Sequence, residues 1–161
     1  MITSNLSHEV FVDPSSKAYY EDRLFDASNT ILNRDDTLAP FVRLRNSEQE
    51  RGFSLRTADY LLKNINQGRP VDYYSLGILD NYKRLMVHSE IRLRAFVIFE
   101  PPVVDPRMYQ ALPDITAAFE RVYVHNTSGD GYSLKNVQQQ KLRKLYWPQP
   151  RKDVMQSFWD R

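Results

Sequence analysis

The chain has no cysteine, and its three histidines lie scattered at positions 8, 88 and 125 of 161 residues. Disulfides, thiolate nucleophiles and cysteine-ligated metals are therefore excluded, a zinc site has nothing to be built from, and the composition fits a reducing compartment. No charge of one sign is in excess: 22 lysines and arginines face 20 acidic residues, a net charge of +2. Phosphate neutralisation therefore gives no reason to expect a nucleic-acid partner. No window approaches a continuous apolar run of about 18 residues, and Met1 to His8 lacks the basic and apolar regions of an export signal, so a cytoplasmic protein without a membrane span is expected. Asn5-Leu6-Ser7 and Asn126-Thr127-Ser128 fit the glycosylation triplet, which is frequent by chance and idle without a secretory signal. A P-loop and a serine in a nucleophile elbow are both missing. Gly129-Asp130-Gly131 lacks the third glycine of a dinucleotide fingerprint, and its aspartate would repel phosphate, so it reads as a tight turn.

What is present is an ordinary globular composition, with 42% hydrophobic, 26% charged and 12% aromatic residues, at a length suited to one cored domain. Val10 to Val12, stopped by Asp13-Pro14, reads as a first buried strand. The polar stretch from Ser15 to Asp36 reads as a long excursion holding at most a short helix, and such loops are often functional. From Asp36-Thr37 onward an acidic cap, an early proline at 40 and a late glycine at 52 punctuate a helix. Phe53 to Thr57 reads as a strand, and Asp59 opens a short helix before the break at Gly68-Arg69-Pro70. Tyr73 to Leu79 is a third candidate strand and Asp80 to Glu90 a helix. Ala95-Phe96-Val97-Ile98-Phe99, without polar alternation, predicts a central parallel strand buried on both faces. A helix from Met108 to Phe119 broken near Pro113, a strand from Arg121 to His125, and a short strand from Leu142 to Tyr146 complete the series. Alternating strands and helices predict an α/β, Rossmann-like three-layer domain with a mostly parallel sheet.

In such sheets ligands bind beyond the carboxyl ends of the strands, where the strand order reverses. Asp13, Glu100 and His125-Asn126 each occupy such an end. Glu100, followed by two prolines, would be held rigidly in a partly desolvated crevice and suited to accept a proton, although a strand-end ion pair would look the same. His125 and Asn126 could hydrogen-bond a hydroxyl-rich ligand, or simply form a turn. The carboxylates of Asn33-Arg34-Asp35-Asp36 would cap the following helix.

Phe99-Glu100-Pro101-Pro102, followed by a helix and then by Phe119-Glu120-Arg121-Val122-Tyr123-Val124-His125-Asn126, resembles the N-terminal domain of the α1,3/1,4-fucosyltransferases, glycosyltransferase family ten. Asn33-Arg34-Asp35-Asp36, Pro40-Phe41, Gly52 and Thr57-Ala58-Asp59 resemble the opening of its bacterial branch, and Leu145 to Pro150 the strand leading to the interdomain linker. The resemblance runs over roughly Val10 to Pro150. It implies one half of a GT-B fold, with an acceptor-side domain over residues 1–150 and a linker or helix beginning at 151–161. It implies Glu100 as general base of an inverting transfer from GDP-fucose to a glycan hydroxyl, with Asp13, Arg34, Asp36, His125 and Asn126 as candidate acceptor-binding residues. No cofactor and no protein-bound metal are expected. His125 stands where the family often has an aromatic residue. GDP-fucose would sit mainly on a C-terminal domain whose motifs this sequence does not carry. The isolated half would then be inactive, with an exposed interdomain surface, helped by Met155, Phe158 and Trp159, through which copies could associate. The alternatives are a free-standing carbohydrate-binding or regulatory module of the same build, and a complete flavodoxin-like protein.

Overall fold

Short segments that place apolar residues among polar ones, closed by turn residues, become the strands. The computed structural model describes residues 8–66 and 68–146; the Asn5 triplet, the Trp147 to Pro150 run, the 151–161 linker and the aromatic tail lie outside them. The strands are β1 (His8–Asp13), β2 (Phe53–Thr57), β3 (Val71–Ser75), β4 (Ile91–Val97), β5 (Arg121–Val124) and β6 (Leu142–Lys144). Between them run α1 (Ala39–Glu50), α2 (Asp59–Lys63), α3 (Leu79–Leu85), α4 (Pro106–Gln110) and α5 (Leu112–Ala118). Pro40, Pro106 and Pro113 each stand in the first turn of a helix, where a missing N–H costs nothing.

The six strands form one sheet in the order β2-β1-β3-β4-β5-β6, and every pairing is parallel. The expected mostly parallel sheet is thus wholly parallel among the described residues, and the domain is α/β, Rossmann-like and three-layered. Parallel pairing puts all carboxyl ends on one edge. Asp13 pairs with Ser75, Ser75 with Phe96, Val97 with Tyr123, and Val124 with Lys144. The strand-end residues Asp13, Glu100 and His125 accordingly share that edge.

Alternation along each strand divides the core in two. Phe11, Tyr73, Phe96 and Val122 face a large cluster closed by Leu61 of α2, Tyr82 and Leu85 of α3, and Tyr109, Leu112 and Ile115 of α4 and α5. Val12 and Leu55 face a smaller cluster with Leu24, Phe25 and Leu38, against which Val10, Phe41 and Leu76 pack. The connection from β1 to β2 crosses this second face, and α1 lies on it without a single fully buried residue. The smaller cluster reaches no further across the sheet than Leu76. Over β4, β5 and β6 the same face carries Arg92, Arg94, Arg121 and Arg143, all exposed or half-buried.

Several boundaries differ from the sequence expectation. β3 starts and ends earlier than Tyr73 to Leu79, because Gly77 turns the chain at φ +123° two residues after it. β4 begins at Ile91, where Asp72 beside it accepts from Arg92 Nε at 2.7 Å, so charged residues share a strand that reads as apolar only from Ala95. α3 stops at Leu85, short of Glu90. Asp35 and Asp36 do not cap α1: both adopt left-handed backbone, with φ 55° and 58°. Asn33 does the work nearby, its Oδ1 accepting from Leu38 N at 2.9 Å.

Candidate functional site

The strand order places β2 and β3 on opposite sides of β1, so the chain leaves the carboxyl ends of β1 and β3 in opposite directions. A crevice at that point is intrinsic to such sheets. Here it is a cleft of about 530 Å³. One wall is the excursion after β1, through Ser15, Tyr19, Leu24, Thr37 and Leu38, together with Phe41 of α1. The other is Leu76 and Gly77 after β3, Ile98 to Glu100 after β4, then Asp105 and Met108. Gly77 is needed there for its backbone, at φ +123°; the space itself would admit a Cβ, at an ordinary 3.7 Å from the Met108 methyl.

The excursion is held in place at strained points. Glu21 and Asp22 have φ 61° and 60°, a conformation that costs non-glycine residues and persists only when the surroundings enforce it. The enforcement comes from the end of β2. Asp22 Oδ1 accepts from Thr57 N at 2.9 Å, and Asp22 N donates to Thr57 Oγ1 at 2.9 Å. Glu21 N donates to Asp59 Oδ1 at 3.1 Å, which also accepts from Thr57 Oγ1 at 2.6 Å. Arg45 and Arg56 both reach Asp22 Oδ2 at 3.4 Å. This brace was not legible in the sequence, since its members are some 35 residues apart.

Glu100 stands where the sequence places it, at the end of β4 and on the cleft. It is exposed at the rim rather than desolvated. Its backbone is fixed, because the carbonyl accepts from Tyr109 Oη at 3.0 Å. Beyond it, Val104 N and Asp105 N both donate to Pro101 O, at 2.9 and 3.1 Å. This closed turn returns the chain to the cleft at Asp105, a lining residue the sequence reading passed over.

Asp13 is fully inaccessible. Its Oδ2 accepts from Tyr73 Oη at 2.6 Å and from Asn81 Nδ2 at 2.8 Å, and its Oδ1 from Tyr20 Oη at 3.1 Å. Burial pushes its carboxyl above the usual range, outweighing those three donors. Burial, with Asp13 beside it, also pushes the Tyr20 phenol up to about 12. Asp13 thus ties β1 to β3, α3 and the excursion, and lies behind the cleft rather than on it.

The other candidates are dispersed. Arg34 and Asp36 are exposed on the excursion, and neither lines the cleft. His125 is exposed at the end of β5. The Asn126 amide is spent on its own turn: Nδ2 donates to Asp130 O at 3.0 Å, while Oδ1 accepts from Asp130 N at 3.1 Å. Gly129 sits inside that turn, so the glycine pair is the tight turn expected.

The cleft therefore joins Glu100 to Asp105, with the hydroxyls of Ser15, Tyr19 and Thr37 and an apolar lining; no lysine, arginine or histidine lines it. Among the described residues no group of three potential ligands could hold a metal ion, and no helix is long and apolar enough to cross a membrane. No family model, curated protein or solved structure matches the chain.

Proposed function

We propose that this domain is the acceptor-binding half of an inverting, fucosyltransferase-like glycosyltransferase of GT-B build, with Glu100 as general base. The observation that carries the reading is the chemistry of the cleft: carboxylates and hydroxyls on apolar walls, with no basic residue in the lining. Such a surface receives a neutral, hydroxyl-bearing ligand. Hydroxyls are matched by acceptors, the less polar faces of a sugar by Leu24, Phe41 and Met108, and a diphosphate is repelled. GDP-fucose would accordingly be held by a second domain.

The strand order of β2, β1, β3, β4 and β5 is also that of flavodoxin-like folds. A flavin or nucleotide phosphate binds there at a helix N-terminus just after the first strand. In this chain the whole excursion from Pro14 to Leu38 intervenes before α1. The glycan reading is the better supported of the two.

In the reaction, an acceptor hydroxyl lying on the apolar wall points to the rim. Its oxygen attacks the anomeric carbon of fucose as the bond from that carbon to the nucleotide phosphate breaks. Its proton passes to the Glu100 carboxylate, and GDP leaves with the bonding pair. An exposed rim position suits this role, because the donor must approach Glu100 from outside the domain. In a two-domain enzyme carrying this domain, Glu100→Gln is expected to lower kcat by about 10²- to 10⁴-fold with acceptor KM little changed. A folded variant within about threefold of the parent rate would remove the base assignment and leave a carbohydrate-binding module. The 161-residue chain alone is expected to transfer no fucose.

A further inference from the structure

We propose that the face of β4, β5 and β6 opposite α4 and α5 is the docking site of the chain's own segment 150–161, seated there as an amphipathic helix; the inference is independent of the glycan reading. The bare face is the first observation. Every pairing in the sheet is parallel, and sheets of that kind are covered on both faces. Among the described residues, α1 is the one α-helix on this face, and the cluster beneath it stops at Leu76. Tyr74, Val97 and Tyr123 stand half-buried beyond it and belong to neither core cluster. Register sets them in two rows, Tyr74-Ala95-Arg121 and Val97-Tyr123-Arg143, each apolar until it ends in an arginine.

The second observation is the direction of the chain. α1 carries it from β1 to β2 on this face, whereas the connections from β2 onward through β3, β4 and β5 lie on the other. Right-handed connections require that division, because the two sets cross the sheet in opposite directions. A segment that leaves β6 and returns toward β3 travels as α1 does. The same hand therefore brings it onto the bare face.

The third is the sequence that follows β6. Pro150 matches the first-turn prolines with which α1, α4 and α5 open. Val154, Met155, Phe158 and Trp159 then recur at i, i+1, i+4 and i+5, one side of a helix, while Lys152, Asp153, Gln156, Ser157 and Asp160 fall on the other. A helix over 150–161 is about 18 Å long, within the roughly 23 Å of the seven-residue β4. Trp147 to Gln149 can span about 10 Å, enough to turn from the edge of the sheet onto its face. The occupant also suits the arginines. Among the described residues no carboxylate pairs with Arg121, and Arg143 donates to the carbonyls of Gln140 and Leu142. Guanidinium groups already lie over rings elsewhere in this chain, Arg56 at 3.3 Å from the centre of Tyr60, and Phe158 and Trp159 offer such rings here.

The test exploits the absence of cysteine: Gln156→Cys or Ser157→Cys, on the polar side of the helix, takes a single nitroxide in the full chain. From either label, the backbone amides of Val97 and Tyr123 should lose their NMR signal by paramagnetic broadening, while those of α2 on the opposite face keep theirs. Adding Phe158→Ser and Trp159→Ser to the labelled chain should restore the lost signals. Mixing labelled chain with unlabelled, ¹⁵N-enriched chain should leave the enriched signals intact. Full signals at Val97 and Tyr123 with both labels would overturn the inference, as would broadening that survives the double substitution. Broadening of the enriched chain in the mixture would overturn it too, since the occupant would then be a second copy.

Discussion

The two faces of the sheet are built to different standards. On the face of α2 to α5, Phe119 is wholly buried and touches three other aromatic rings, with centroids 5.3 Å from Tyr82, 5.3 Å from Phe96 and 6.2 Å from Tyr73. On the face of α1, the helix buries no residue completely, Leu44 is 45% exposed, and a groove of about 470 Å³ runs between helix and sheet. The cleft draws one wall from this thinner layer and the other from the loops after β3 and β4. The better-packed layer thus anchors the loop of Glu100, whose carbonyl accepts from Tyr109 Oη, and the thinner layer supplies part of the opposite wall. The division is the usual one between a scaffold and the loops that carry function.

If that comparison is right, truncations on the two faces must differ sharply. Phe119→Ala removes the hub of the ring cluster and is expected to cost about 3 to 5 kcal/mol, measured by chemical denaturation. A cost below about 1 kcal/mol would mean that the thick face is not where stability lies. Leu44→Ala, on the exposed flank of α1, is expected to stay within about 0.5 kcal/mol of the parent.

Between these extremes lies Asp13, which stitches the two layers together. Asp13→Asn puts an amide where the folded protein in acid holds a protonated carboxyl of similar shape, and is expected to cost up to about 1 kcal/mol there. The cost should depend on pH in a definite direction. Burial raises the Asp13 pKa in the folded state above its ordinary value of 3.8. Between pH 3.8 and that raised value the folded protein holds more protons than the unfolded one, so stability falls as pH rises through this window. Asparagine lacks this loss, and the deficit of the variant should shrink from pH 4 toward neutrality. Denaturation of both proteins at several pH values checks it; a deficit that grows with pH would contradict the assignment.

How much of this was legible beforehand follows from the range of the interactions. Strand identity is local, and Val10 to Val12, Phe53 to Thr57 and Arg121 to His125 were recognisable as short segments with regularly placed apolar residues between turns. The placing of Glu100 on the carboxyl edge followed from parallel topology alone. Its exposure did not, because desolvation depends on what the excursion after β1 covers, and that excursion is set by Asp22 meeting Thr57. Asp13 was marked as a strand-end residue, but Tyr73 and Asn81, which enclose it, lie 60 and 68 positions away. Asp105 did leave a local trace: an Asp-Pro pair five residues after Glu100 announces a helix start. Only the fold shows that its carboxylate makes no capping bond and instead stands 3.5 Å from Arg107 Nε.

The most direct test of the central claim, that this cleft receives a neutral oligosaccharide, uses the methionine methyl groups. The chain has four methionines, Met1, Met86, Met108 and Met155. Of the two that the structure describes, Met108 lines the cleft and Met86, 52% exposed, lies outside it. With ¹³C-methyl-labelled protein and increasing oligosaccharide, the account predicts a saturable shift of the Met108 resonance while that of Met86 stays in place. A Met108 resonance unmoved at high sugar concentration, or a saturable shift at Met86 instead, would contradict it.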